Sequence, residues 1–99
     1  VTATQALVIP VSLADLPYAL QVAHAARQGG IQTEVDLTGH GVGAGLKLAT
    51  KKQIRLALIV GESEQRTNAV TIKDLEMGEE RISTLDVLLE SFPKMEYFL

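Results

Sequence analysis

Along the chain the spacing of apolar positions switches between a period of two and a helical period. Residues 6–11 form an apolar run with β-branched members, which predicts a buried strand. Pro10 has no N–H for a sheet ladder and is expected near the end of that strand. Ser12 and Asp15 stand at capping-box spacing, with Pro17 in the first turn of the helix that follows. Leu16, Ala19, Leu20, Ala23 and Ala26 then make an apolar helical stripe, which Gly29 and Gly30 terminate. Residues 31–37 alternate strictly between apolar and polar, as in a strand with one wetted face near a sheet edge. A glycine-rich connection, with Gly39, Gly41 and Gly43, leads to a second helix ending near Lys52.

Residues 56–60 are apolar on both faces, the pattern of a central strand covered on both sides. Val70, Ile72 and Leu75 mark a fourth strand. A turn over 76–79 returns the chain to a short strand at Arg81 and Ile82. Ser83 and Asp86 repeat the capping-box spacing and open a last helix whose apolar positions are Leu85, Leu88, Leu89 and Phe92. Strands alternating with helices predict right-handed crossovers and a three-layer α/β/α fold around a five-stranded mixed sheet. With no repeat, low-complexity tract or internal linker, residues 1–99 are expected to form one domain. A first residue of Val rather than Met is what a domain cut from a longer protein would show.

Composition narrows the function. A 99-residue chain that is 46% hydrophobic and 21% charged has the profile of a soluble globular domain rather than a disordered one. The absence of cysteine excludes disulfides, thiolate chemistry and Cys-ligated metals. The longest apolar run falls far short of the ~20 residues of a membrane helix, so no membrane role is expected, and no secretory signal is visible. The net charge of −3 argues, as an average, against a nucleic-acid partner. Its distribution argues otherwise. Residues 1–36 carry one base and three acids, residues 37–61 four bases (Lys47, Lys51, Lys52, Arg55) and no acid, and residues 62–99 four bases and nine acids.

Several patterns carry candidate chemistry. Gly39, Gly41 and Ala44 satisfy a GxGxxA dinucleotide pattern, which keeps a small nucleotide-binding domain as one alternative. Its preceding strand alternates and carries Glu34 and Asp36, whereas dinucleotide strands are buried and central. His24 lies beside an apolar helical stripe, where a structural histidine is expected, and His40 lies in the glycine loop. Two such histidines make no metal site. The serines stand at caps, turns or near the terminus, so no nucleophile–base grouping arises and the domain by itself is expected to be non-catalytic. Lys47 and Lys51 are four residues apart on the second helix and share a face. They follow a glycine loop whose N–H groups would attract anions. Glu62 and Glu64 close the central strand at the edge where open α/β sheets bind ligands, and carboxylates there could accept from base amino or imino groups. Lysines beside a carboxylate rim suit single-stranded RNA. Ordinary solvated acids and lysines are the plain alternative.

A set of residues in order extends this picture. It comprises Asp36 and Leu37, Gly43 with Leu46 and Lys47, Lys51 and Lys52, then the strand at 57–60 with Gly61, Glu62 and Glu64. Over residues 6–90 this resembles the C-terminal anticodon-binding domain of class II aminoacyl-tRNA synthetases. Arg55, the run 70–75 and Met77-Gly78-Glu79-Glu80 make it most similar to the histidyl branch. The resemblance implies sheet order 2-1-3-4-5 with strand 4 antiparallel and three helices. It implies a tRNA anticodon stem-loop as partner, and a separate catalytic domain of the same chain using ATP with Mg2+ to activate histidine. It further implies a homodimeric parent in the cytoplasm and no cofactor in this domain. Gly39, His40, Lys47, Lys51, Glu64 and Lys73 are the RNA-binding positions it points to. The carboxylate would read a base edge, and the basic residues would contact bases or phosphate. His40 replaces a customary Arg or Lys, Ala44 a frequent Lys, Gln53 a frequent Gly, and Asn68-Ala69 an Asn-Gly turn. The loop thus lacks two cations, and a synthetase-like paralogue used for regulation or protein interaction stays open.

Overall fold

The computed structural model describes residues 4–91. Five strands form one sheet in the order β2-β1-β3-β4-β5: β1 Ala6–Pro10, β2 Thr33–Val35, β3 Leu56–Val60, β4 Ala69–Asp74 and β5 Glu79–Thr84. β1 runs parallel to both β2 and β3, while β4 is antiparallel to β3 and β5. The helices are α1 Leu16–Gln28, α2 Val42–Lys51, α3 Glu62–Arg66 and α4 Leu85–Ser91, with one 3₁₀ turn at Leu13–Asp15. The expected sheet order and mixed α/β architecture are present. Among the described residues the helices number four rather than three, because Glu62–Arg66 winds into a single turn that no apolar periodicity announces.

β1 is buried along its whole length and ends at Pro10, where a missing N–H leaves no ladder bond unmade. On one face of the sheet, α1 and α4 cover Val8, Leu58, Val60, Val70 and Ile72 with Val22, Ala23, Ala26 and Leu88. On the other, α2 covers Leu7, Ile9 and Ala57 with Ala49, Leu46 and Leu48. Gly45 sets the closeness of that contact: a Cβ added there would lie 2.5 Å from Ile9 Cγ2.

Local details depart from expectation for identifiable reasons. In α1 the buried stripe is Tyr18, Ala19, Val22, Ala23 and Ala26. Leu20 faces solvent, 47% exposed. His24 is exposed as well, not a buried structural histidine. The left-handed residue after α1 is Gly30, at φ 93°, while Gly29 remains near helical values. β2 is only three residues long, because Asp36 turns inward to accept from the Thr38 N–H and hydroxyl, breaking the alternation and leaving Leu37 63% exposed. β5 is longer than the two residues expected. Thr84, not Ser83, caps α4, accepting from the Val87 N–H at 3.2 Å. Phe92 lies outside the described residues. Gln53 and Asn68 occupy left-handed backbone, at φ 61° and 54°, a region that glycine enters without a Cβ clash.

Candidate nucleic-acid interface

The connections after β1, β2 and β3 meet at the carboxyl edge of the parallel strands. Leu13, 63% exposed, packs over Gly39, where an added Cβ would lie 2.7 Å from Leu13 Cδ2. Gly39 also has φ 72°, so both its backbone and its neighbour exclude a side chain there. Val11 packs likewise against Gly61, and its N–H donates to the Val60 carbonyl at 2.9 Å. Gly39, Leu13, Val11, Gly61 and α3 thus form one rim. The GxGxxA loop follows an edge strand, and Leu13 fills the space over its first glycine. That is not the central-strand setting of a dinucleotide site.

Glu64 is the organising residue of this rim. It projects from α3, not from the end of β3 as expected. Its Oε1 accepts from the Gly61 N–H at 2.9 Å and from the Ser63 hydroxyl at 3.2 Å, and its Oε2 accepts from the Thr71 hydroxyl at 2.9 Å. Burial works to raise the pKa of this carboxyl. The hydrogen bonds from Thr71, its own and the Gly61 backbone N–H, and Ser63 outweigh that and hold it below the usual value. Nearby, the buried Tyr18 hydroxyl donates to the Ala69 carbonyl at 2.7 Å. Burial first, and the Glu64 charge second, raise the pKa of that phenol.

The cross-strand register then defines an open sheet face. One row runs Ile9–Ile59–Thr71–Ile82 and the next Leu7–Ala57–Lys73–Glu80. α2 covers the β1 end of both rows. Toward β5 the rows emerge: Lys73 is half-buried and Ile82 is 71% exposed. Glu64, bonded to Thr71, and Lys73, two residues along the same strand, therefore share this face. Thr71 was not singled out from the sequence; its period-two spacing from Lys73 was the available signal.

The basic segment divides in two. Lys52 pairs with Glu34 at 2.7 Å. The Lys52 hydrogen bond, then that from Thr4, holds the Glu34 pKa below its usual value. Arg55, largely buried, pairs with Asp74 at 3.0 Å and with Glu76 at 3.3 Å. Asp74 also accepts from the Glu76 and Met77 N–H groups. Burial would raise the Asp74 pKa, but the Arg55 hydrogen bonds, those two N–H groups and the Arg55 charge bring it below the usual value. Lys47 and Lys51 stand one turn apart on the exposed side of α2, and neither is in an ion pair among the described residues. His40 is exposed in the loop before α2. The structure thus gathers Glu64 and Lys73 on the sheet face, Gly39 and His40 in the rim loop, and Lys47 and Lys51 on α2.

Among the described residues no three His, Asp or Glu side chains converge as metal ligands would, and no helix is long and apolar enough to cross a membrane.

Known proteins share this fold. The anticodon-binding domain family matches residues 5–95. A histidine–tRNA ligase of Methanosphaerula palustris is 37% identical over 91 residues, covering 91% of this chain and 22% of that protein. The histidine–tRNA ligase of Pyrococcus furiosus is 30% identical over 83 residues, covering 84% of this chain and 19% of that protein. The solved histidyl-tRNA synthetase of Nostoc sp. PCC 7120 superposes with a TM-score of 0.88 at 27% identity, over 94% of this chain and 22% of that one. The chain spans about a fifth of the length of these relatives.

Proposed function

The chain belongs to the anticodon-binding domain family of aminoacyl-tRNA synthetases, and from that premise we propose that it grips the anticodon stem-loop of tRNA for a histidine–tRNA ligase. It does so as one domain of a longer protein, non-catalytic alone. The same reading places the parent in the cytoplasm as a homodimer, with a separate catalytic domain that uses ATP and Mg2+ to activate histidine.

Lys47 and Lys51 hold the RNA backbone, and the loop at Gly39 and His40 admits the stem. Glu64 and Lys73 meet the bases on the open sheet face. The observation that supports this best is the pair of exposed lysines on α2, in no ion pair among the described residues while Lys52 and Arg55 are neutralised. Unpaired cations on a helix face draw a polyanion, and each phosphate they neutralise steepens the salt dependence of binding. The acids elsewhere on the surface limit non-specific binding of RNA there by like-charge repulsion.

Binding of a stem-loop RNA carrying the histidine anticodon, followed across salt concentration, tests the proposal. Lys47→Ala is expected to lower the slope of log affinity against log salt by about 0.7–0.9. An unchanged affinity and slope would sink the assignment. RNA binding that is absent at low salt would favour a paralogue that docks a protein.

A further inference from the structure

The antiparallel register of β4 and β5 sets Glu80 directly opposite Lys73. Opposed residues on neighbouring strands share a face of the sheet, with Cβ atoms about 4.5–5.5 Å apart. Both side chains are long enough to meet across that gap. Neither is in an ion pair among the described residues, so the two charges lie beside each other without closing into contact. The other positions around Lys73 on these strands are uncharged: Ala57 opposes it on β3, and Gly78 and Ile82 lie two residues either side of Glu80. Lys47 and Lys51 stand differently, because α2 contains no acid at all.

We infer that Glu80 is the internal counter-charge of Lys73 and thereby a specificity-determining residue of the RNA site. This rests on the RNA-binding function proposed above. A carboxylate so close offsets the attraction that the ammonium would exert on a phosphate. It also lies within the ~8 Å Debye length of physiological salt, so solvent ions do not hide it. Phosphates are therefore drawn to α2 and not to the sheet face. Lys73 keeps N–H donors for uncharged acceptors, since an ammonium carries three. Phosphate contacts add affinity without sequence information, and Glu80 keeps Lys73 from adding one more.

β5 supplies its own control. Glu79 is also an exposed acid, but it stands opposite Asp74 and, by the period of two, on the other face of the sheet. The experiment measures RNA affinity across salt for the unaltered chain, Glu80→Gln, Lys73→Met, the double variant and Glu79→Gln. One stem-loop carries the histidine anticodon and a second has a scrambled loop of the same length. Glu80→Gln is expected to bind the scrambled RNA about threefold more tightly. Its salt slope should steepen by about 0.7–0.9, the increment of one phosphate contact. The gain on the histidine-anticodon RNA should be smaller, so that preference for it falls. With Lys73→Met already in place, Glu80→Gln should change affinity by less than about 1.5-fold, as should Glu79→Gln in the unaltered chain. Both glutamates are exposed, so neither substitution threatens the fold.

An equal gain from Glu79→Gln would overturn the inference, since loss of overall negative charge would then account for it. A gain from Glu80→Gln that persists in full without Lys73 would do the same, by showing that the carboxylate repels RNA directly. So would an unmoved salt slope or an unmoved preference between the two RNAs. Failure of the underlying function reads differently, as an absence of salt-dependent binding by every variant to both RNAs, and the inference falls with it.

Discussion

On the α1 and α4 side of the sheet, fourteen buried side chains interlock, drawn from three of the five strands, both helices and the loop at Ile31. On the α2 side the buried cluster has five members, all on or beside β1, β3 and α2, and the β5 ends of its rows, Ile82 and Glu80, are exposed. β4 itself shows the contrast. Val70 and Ile72 face the first side and are buried among apolar neighbours, whereas Thr71 and Lys73 face the second and carry a hydrogen bond and a charge. A period of two lets one strand serve both ends: Val70 and Ile72 hold the fold together, while on the other face Thr71 holds Glu64 and Lys73 reaches toward the open end of its row. Apolar burial on one side is what permits polar groups to be presented on the other.

Substitutions on the two faces should therefore separate stability from binding. Leu58→Ala, in the larger cluster and 1% exposed, removes buried methyl groups and leaves a cavity. It is expected to cost about 3 kcal/mol in denaturant unfolding, with little change in RNA affinity per folded molecule.

Arg55→Met comes next, at about 2 kcal/mol: it strips the buried Asp74 carboxylate of its cation while two backbone N–H groups still hold it. Because the folded Asp74 pKa lies below its usual 3.8, this carboxylate stabilises the protein at pH above that value. The contribution is lost as pH falls through the lower folded value. Acid titration of stability should thus be steeper for the unaltered chain than for Arg55→Met, and equal slopes would contradict the pairing.

Ile82→Ser, on the open face, should change stability by less than about 0.5 kcal/mol while weakening RNA binding. A loss as large as that of Leu58→Ala would erase the distinction between the faces.

Much of this was legible in the residues. The apolar runs at 6–11 and 56–60 mark β1 and β3, and Ala19, Ala23 and Ala26 fall on the buried side of α1 because helical spacing dictates it. The turn α3 escaped, since five polar residues carry no period, and what holds it is the side chain of Glu64 reaching back to Gly61. Leu20 and Leu37 misled for a related reason. Their hydrophobicity fits a stripe or an alternation, but whether a partner surface lies opposite depends on elements elsewhere in the chain.

The sequence by itself determined the order of elements, the central place of residues 56–60 and the position of the basic segment, because these follow from spacing and composition over short stretches. Which of its four cations stay available was decided only by the tertiary structure. Glu34 precedes Lys52 by 18 residues and Asp74 follows Arg55 by 19, and the fold brings each acid to its base. Ion pairing depends on distances of a few ångströms that linear order does not contain. The same closure brought the Thr71 hydroxyl to the Glu64 carboxylate.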